Sequence, residues 1–172
     1  FGWVKLIINH HNLGFAAGNN IGIKQAHSQY ILLLNSDTQI LPDTLSTMIK
    51  FMDQHLDVGV STCRVELTGG QIDPACHRGF PTPWASLSFF LGLEKLFPHS
   101  RLFAQYHQGW KNLNTIHAID SPAGAFYLVR KSAIDKAGFL DEQFFMYAED
   151  LDWSLRIKNA GFKIMYVPTT KI

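Results

Sequence analysis

The chain has 172 residues, enough for one domain with a proper core, and its 47% hydrophobic and 17% charged content is that of a globular protein, neither disordered nor collagen-like. Fifteen basic against fourteen acidic side chains leave a net charge of +1, which argues against a general binder of polyanions such as nucleic acid. The two cysteines, Cys63 and Cys76, lack CxxC spacing and are too few for a disulfide framework, so a reducing cytoplasm is the simpler setting. No uninterrupted apolar run reaches the roughly 18 residues that span a bilayer. The chain starts at Phe1 rather than methionine and ends close to a strand, and both ends are expected to be cut from something longer.

In chain order, Val4 to Ile8 reads as a short strand followed by the polar loop "NHHN". "FAAGNNIGIKQA", from Phe15 to Ala26, reads as a helix that carries Gly18 and Gly22 for a packing or ligand reason. Tyr30 to Leu34 is a strand with a run of aliphatic residues, buried on both faces. Next, Leu45, Met48, Ile49 and Met52 fall at i, i+3, i+4, i+7 of a helix whose first turn tolerates Pro42, and Val58 to Thr62 is another strand. This alternation indicates an α/β domain around a largely parallel sheet, in which ligands sit at the carboxyl ends of strands.

Residues 68–120 are less regular. Within them "WASLSFFLGLEKLFPHSRLF" reads as an apolar helix packed on its own domain. The sharper reading is an acceptor-side segment that touches a membrane surface through Trp84, Phe89, Phe90, Leu93 and Phe97. After Asp120 come a strand from Ala125 to Val129, a short helix, a turn, and a helix from Tyr147 to Ala160 stopped by Gly161. "KIMYVP" closes the chain as a strand.

Three segments carry chemistry. Asp37, flanked by Asn35 and Ser36 at a strand end, is a hard oxygen ligand suited to Mg²⁺ or Mn²⁺, and equally a carboxylate that closes a turn. Glu149, Asp150 and Asp152 crowd a helix start, where the helix dipole stabilises negative charge, and Asp152 is spaced for an i,i+4 ion pair with Arg156. The aromatic approach "QFFMY" also allows desolvation to raise a carboxylate's pKa there, as a general base requires. Glycines and asparagines in "NLGFAAGNNIG" can lie against a phosphate through backbone amides, although neither GxGxxG nor a P-loop is present. The histidines show no metal-ligand spacing, and no GxSxG elbow is found.

Taken together, "NLGFAAGNNIGI", "YILLLNSDT", "FPTPW…LGLEKLFPHSR" and the run from "PAGAFYLVRKSAIDKAGF" to "MYAEDLDWSLRIKNAGFKIMYVP" resemble the family 2 inverting glycosyltransferases of the GT-A fold, especially bacterial rhamnosyltransferase-like members. The resemblance covers nearly the whole chain. It implies a three-layer sandwich around a mixed, mostly parallel sheet, incomplete at its N-terminal edge, with 1–172 as one core domain. It also implies transfer of a sugar, rhamnose by analogy, from a nucleoside diphosphate donor to a saccharide or lipid-linked acceptor in cell-surface polysaccharide synthesis, in the cytoplasm at the inner face of the membrane.

By the same resemblance, Asn35, Ser36 and Asp37 fall on the family's Asp-x-Asp element. Asp37 meets the Mg²⁺ or Mn²⁺, and Asn35 replaces the first acid. Asp150 falls on the family's catalytic base, with Glu149 beside it. Donor contacts are implied for Asn12, Gly18, Asn19, Asn35, Ser36, Asp37, Gly124 and Arg156, with donor-phosphate or structural duty for Arg156, and an acceptor contact for Trp153. The family begins with a strand that recognises the base, whereas this chain starts at what corresponds to the second strand, so weak donor binding by the chain alone is expected. The alternatives are a catalytically silent GT-A domain that binds a sugar or partner protein, and a nucleotidyltransferase, whose glycine-rich basic signature is not visible.

Overall fold

A computed structural model describes residues 2–172. Helix α1 (Gly14–Gln25) leads into strand β1 (Tyr30–Leu34), helix α2 (Thr44–Gln54) and strand β2 (Val58–Arg64). A 3₁₀ turn (Pro74–His77), helices α3 (Pro83–Phe90) and α4 (Leu93–Leu96) and the short strand β3 (His117–Ala118) follow. Strand β4 (Phe126–Arg130), helices α5 (Lys131–Ala137) and α6 (Glu149–Asn159) and strand β5 (Lys163–Lys171) complete the chain.

The sheet is mixed, in the order β1-β4-β2-β5-β3. Only β2 and β5 pair in parallel, while β1/β4, β4/β2 and β3/β5 are antiparallel. The α/β class and the mixed sheet agree with the sequence reading, but the expected balance of directions is reversed. The crossover through α2 does leave β1 and β2 running the same way. They are not neighbours, because β4 arrives from the irregular segment and inserts between them in the opposite direction.

Side chains alternate across the strands, so each strand feeds two cores. Ile31 and Leu33 of β1, with Tyr127 and Val129 of β4, pack on one face with Ala16, Ile23, Ile134, Trp153 and Ile157 of α1, α5 and α6. Phe126 and Leu128 of β4 pack on the other face with Met48, Phe51 and Met52 of α2. Helices thus cover both faces of the sheet. The buried Arg130 at the end of β4 donates to the carbonyls of Met52 and His55 at the end of α2 (2.6 and 3.0 Å) and of Val58 at the start of β2 (2.9 Å), tying the three elements together.

Several boundaries differ from expectation. Val4 to Ile8 forms no strand. Among the described residues nothing lies beside it to complete a hydrogen-bond ladder, and Leu6 and Ile8 are exposed. Helix α2 buries Thr44, Met48, Phe51 and Met52 and leaves Leu45 and Ile49 exposed. The stripe is rotated because Thr44 Oγ1 bonds Thr170 Oγ1 (3.1 Å) and the Lys171 carbonyl (3.0 Å), which turns that face toward β5. The apolar helix of the middle segment breaks into α3 and α4 at Gly92, whose φ of 71° is left-handed. The last helix starts at Glu149 rather than Tyr147, since Tyr147 and Ala148 both hold φ 69°, and it stops at Gly161 as read.

His77 is buried edge-on to Tyr166 (5.7 Å between ring centroids), and its Nδ1 has no hydrogen-bond partner. Burial first, then the charges of His117, His107 and Lys111, push its pKa down from 6.5 to about 4. The unfolded chain therefore takes up a proton near pH 6.5 that the native state refuses until about pH 4. Stability from this group is complete above pH 6.5 and is lost as pH falls toward 4, by about 3 kcal/mol at roughly 1.4 kcal/mol per pH unit. Urea unfolding at several pH values is expected to give a flatter acid limb over that window for His77→Gln than for wild type. Parallel limbs would contradict the assignment.

Candidate active site

The end of β1 settles how Asp37 is used locally. The Asn35 N–H donates to the Ala125 carbonyl (3.2 Å), and Thr38 donates to the Asn35 carbonyl through its hydroxyl (2.7 Å) and its N–H (3.4 Å). The turn closes without Asp37, whose carboxylate has no hydrogen-bond or ion-pair partner among the described residues. Asp37 and Asn35 line a cleft of about 840 Å³, shared with Glu66, Asp73 and Lys171, whereas Ser36 is exposed beside it. The other carboxylates there are committed: Glu66 Oε2 pairs with Lys171 Nζ (2.6 Å), and Asp73 caps the 3₁₀ turn through the Ala75 N–H (2.9 Å).

One free carboxylate beside an amide oxygen is a small donor set. It fits Mg²⁺ or Mn²⁺, which are often held by one or two carboxylates plus substrate phosphates and water. Among the described residues no group of three or more His, Cys, Asp or Glu side chains forms a self-sufficient metal cage.

The start of α1 is fixed to the approach to α6. Gly14 has φ 81°, and a Cβ there would sit 2.3 Å from the Phe145 carbonyl, which accepts from the Phe15 N–H (2.8 Å). Asn12 accepts from the Gly14 N–H through Oδ1 (3.0 Å), and Asn19 donates back to the Phe15 carbonyl (2.8 Å). Both asparagines therefore shape the helix start. Gly18 leaves open space where a Cβ would be. Asn20, which the sequence reading did not single out, is buried and clamps α1 to Leu140: it donates to that carbonyl (2.8 Å) and accepts from that N–H (3.1 Å). Gly124 meets the Phe15 ring, 2.9 Å from where a Cβ would be.

Glu149 and Asp150 open α6, directly after the two left-handed residues Tyr147 and Ala148, a strained joint of the kind that clusters at functional sites. Asp150 is gripped at both oxygens. Oδ1 accepts from the Leu151 N–H (2.8 Å), and Oδ2 accepts from Arg78 Nη2 (2.6 Å), which also donates to the Pro122 carbonyl (3.1 Å). Burial works against the Arg78 charge, but Asp150 and then Tyr106 more than offset it and raise its pKa. Glu149 is only 6% exposed, and its Oε2 has no partner. Burial and then the Asp150 charge raise its pKa, partly opposed by Arg78. The desolvation expected near the aromatic approach falls on Glu149.

Two of the expected site residues are engaged within the fold. Trp153 is fully buried, stacked on Tyr127 (5.2 Å between centroids) with its indole N–H on the Gly138 carbonyl (2.8 Å), so it cannot touch an acceptor. Arg156 pairs with Asp152, as the i,i+4 spacing implied (Nε to Oδ2, 2.8 Å), and donates to the Ala137 carbonyl (2.6 Å). It thereby ties α6 to α5.

The loop Ser121–Ala125 joins these parts. Ser121 bonds the Asp150 carbonyl (3.4 Å), Pro122 accepts from Arg78, Gly124 packs on Phe15 of α1, and Ala125 accepts from Asn35. Arg78 was missed from the sequence. It lies in a turn-rich stretch without periodicity, and its one signal was a lone arginine between buried residues.

A mixed sheet covered by helices on both faces, with an open cleft at the carboxyl end of β1, is the architecture of a GT-A type domain. The GalNAc-T7 structure with UDP, GalNAc and Mn²⁺ has the same fold: TM-score 0.68 at 16% identity, over 99% of this chain and 31% of that one. Staphylococcus aureus TarS matches at TM-score 0.58 and 18% identity, over 95% of this chain and 24% of its own. Residues 2–130 match the model of glycosyl transferase family 2, and the chain belongs to that family.

Similar curated proteins include the rhamnosyltransferase WbbL of Escherichia coli K12, 30% identical over 90% of this chain and 58% of that protein. Another is the N-acetylglucosaminyl-diphospho-decaprenol L-rhamnosyltransferase of Mycobacterium tuberculosis, 23% identical over 98% of this chain and 58% of that protein. The chain thus spans under two thirds of the length of these relatives.

Proposed function

We propose that this domain is the catalytic core of an inverting glycosyltransferase. It moves a sugar, rhamnose by the names of its relatives, from a nucleoside diphosphate donor to a hydroxyl of a saccharide on a lipid-linked acceptor in polysaccharide synthesis. The observation that carries the reading is the joining of the Asp37 cleft and the Glu149–Asp150 helix start through one loop, Ser121–Ala125.

The chemistry follows from the residues. The acceptor oxygen attacks the anomeric carbon, the bond from that carbon to the diphosphate oxygen breaks, and the nucleoside diphosphate leaves with the electron pair. The acceptor proton passes to the Asp150 carboxylate, as carboxylate bases act in inverting hydrolases. A divalent cation bound through Asp37, with Asn35 beside it, would supply Lewis-acid neutralisation of the departing diphosphate. Glu149, with an unpartnered oxygen and a raised pKa, is suited to hold a proton and hydrogen-bond a sugar hydroxyl. Asn12, Gly18, Asn19 and Gly124 serve the donor by setting the start of α1 and the packing of the loop.

In the full-length protein with a nucleoside diphosphate rhamnose and Mn²⁺, release of nucleoside diphosphate is expected to fall about 10²- to 10⁴-fold in Asp150→Asn. It is expected to be abolished in Asp37→Ala or with EDTA. Undiminished turnover in Asp150→Asn would overturn the base assignment, and release of free pyrophosphate would mark a nucleotidyltransferase. Donor binding without turnover would leave a silent sugar-binding domain.

The same reading places the domain at the inner face of the cell membrane, where a lipid-linked acceptor resides. No helix among the described residues is long and apolar enough to cross a membrane. Support for peripheral contact comes from the exposed apolar side chains of α3, α4 and their flanks, Leu87, Phe90, Leu91, Leu96 and Phe97, with Phe90 82% exposed, beside Lys95 and Arg101. Sedimentation with anionic liposomes is expected to carry down the wild type and much less of Phe90→Glu. No binding by the wild type would remove membrane contact from the account.

A further inference from the structure

We infer that Arg78 is the positioning residue for the base: it holds the Asp150 carboxylate in the orientation that receives the acceptor proton. This inference rests on the reading of Asp150 as base and adds a residue from the irregular middle segment to that site.

The grip is specific. Arg78 Nη2 meets Asp150 Oδ2 at 2.6 Å while the Leu151 N–H meets Oδ1 at 2.8 Å, so both oxygens are fixed from different parts of the chain. Each carboxylate oxygen accepts one bond here and keeps lone-pair capacity for a hydroxyl. Arg78 is itself held. Its backbone bridges Ser121 in both directions (3.0 and 3.1 Å), and the Nη2 that reaches Asp150 also reaches the Pro122 carbonyl. The guanidinium is thus mounted on the same loop that supports Asn35 and the start of α1.

Stability alone does not call for this pair. Both side chains are nearly buried, 12% and 13% exposed, and Arg78 Nε is left without a partner. Desolvating two charges roughly cancels their attraction, and a pair built for stability would also satisfy that N–H. What the pair does provide is a carboxylate fixed at both oxygens directly after the strained backbone joint of Tyr147 and Ala148. One nitrogen makes both contacts, so a lysine ammonium can reproduce them with its charge, whereas the glutamine amide is neutral and shorter than the arginine side chain.

The test uses the full-length protein with a nucleoside diphosphate rhamnose, an alkyl N-acetylglucosaminide and Mn²⁺. Arg78→Gln is expected to lower kcat about 100-fold with donor KM unchanged, and Arg78→Lys to restore most of the loss. Added to Asp150→Asn, Arg78→Gln is expected to cost nothing further. In parallel, the Leu151 amide resonance should move in Arg78→Gln and return in Arg78→Lys. Wild-type kcat in Arg78→Gln, an unmoved Leu151 resonance, or a full additional loss in the double variant would each overturn the inference.

If Asp150→Asn keeps turnover, the base assignment falls, and the Leu151 resonance alone still decides whether Arg78 fixes the carboxylate. A last measurement needs no Arg78 variant. The Arg78 guanidinium protons should exchange faster in Asp150→Asn than in wild type, and equal exchange would overturn the inference.

Discussion

The site depends on the backbone of one loop, Ser121–Ala125, and on the strand it feeds. Four separate stretches reach it: the end of β1 through Asn35, the start of α1 through Phe15, the irregular segment through Arg78, and the start of α6 through Asp150. Each contact is a hydrogen bond to a backbone group or a close packing on a small residue, so the loop tolerates little displacement. A Cβ at Gly124 would meet the Phe15 ring at 2.9 Å, which leaves no room for a larger residue without moving α1.

That loop is in turn held by β4. Its pairing with β1 runs from Tyr30↔Arg130 to Leu34↔Phe126, and all five residues of β4 are buried. At its far end Arg130 ties the strand to the last carbonyls of α2 and to Val58 at the start of β2. A strand inserted between β1 and β2 therefore does two things. It completes the core on both faces, and it delivers a short loop to the place where β1 ends. Catalytic geometry of the kind proposed needs groups held to within about half an ångström, and side chains placed on strand ends and a helix start meet that demand better than free loops.

Much of this was legible in the sequence. The aliphatic run Ile31–Leu34 marked β1, and the abrupt change to Asn35–Thr38 marked the turn that lines the cleft. Asp152 and Arg156 announced their ion pair by spacing, whereas Gly18 and Gly22 of "FAAGNNIG" have open space where a Cβ would be, so the packing reason read for them does not hold. Strand direction was not legible. The direction of β4 is set by the path of residues 68–120, which carry turn residues and no periodicity, so the expected parallel majority gives way to a mixed sheet with one parallel pair. The resemblance implied an acceptor contact for Trp153, yet with Ile157 it forms the i,i+4 core stripe of α6. Arg78 was hidden because a pair between distant segments leaves no local pattern. A polar face in an apolar strand end is visible in one dimension, whereas the partner that completes it is fixed only in three.

The central claim is that Asp37 and Asp150 serve one site, with the donor diphosphate at the first and the acceptor hydroxyl at the second. A crystal structure of the full-length protein with a nucleoside diphosphate and Mn²⁺ tests it most directly. The account predicts Mn²⁺ bound by the Asp37 carboxylate and the diphosphate oxygens, with the Asp150 carboxylate, still paired to Arg78, facing the space where the sugar would lie. Metal and diphosphate held away from Asp37, or an Asp150 turned from that space, would contradict it.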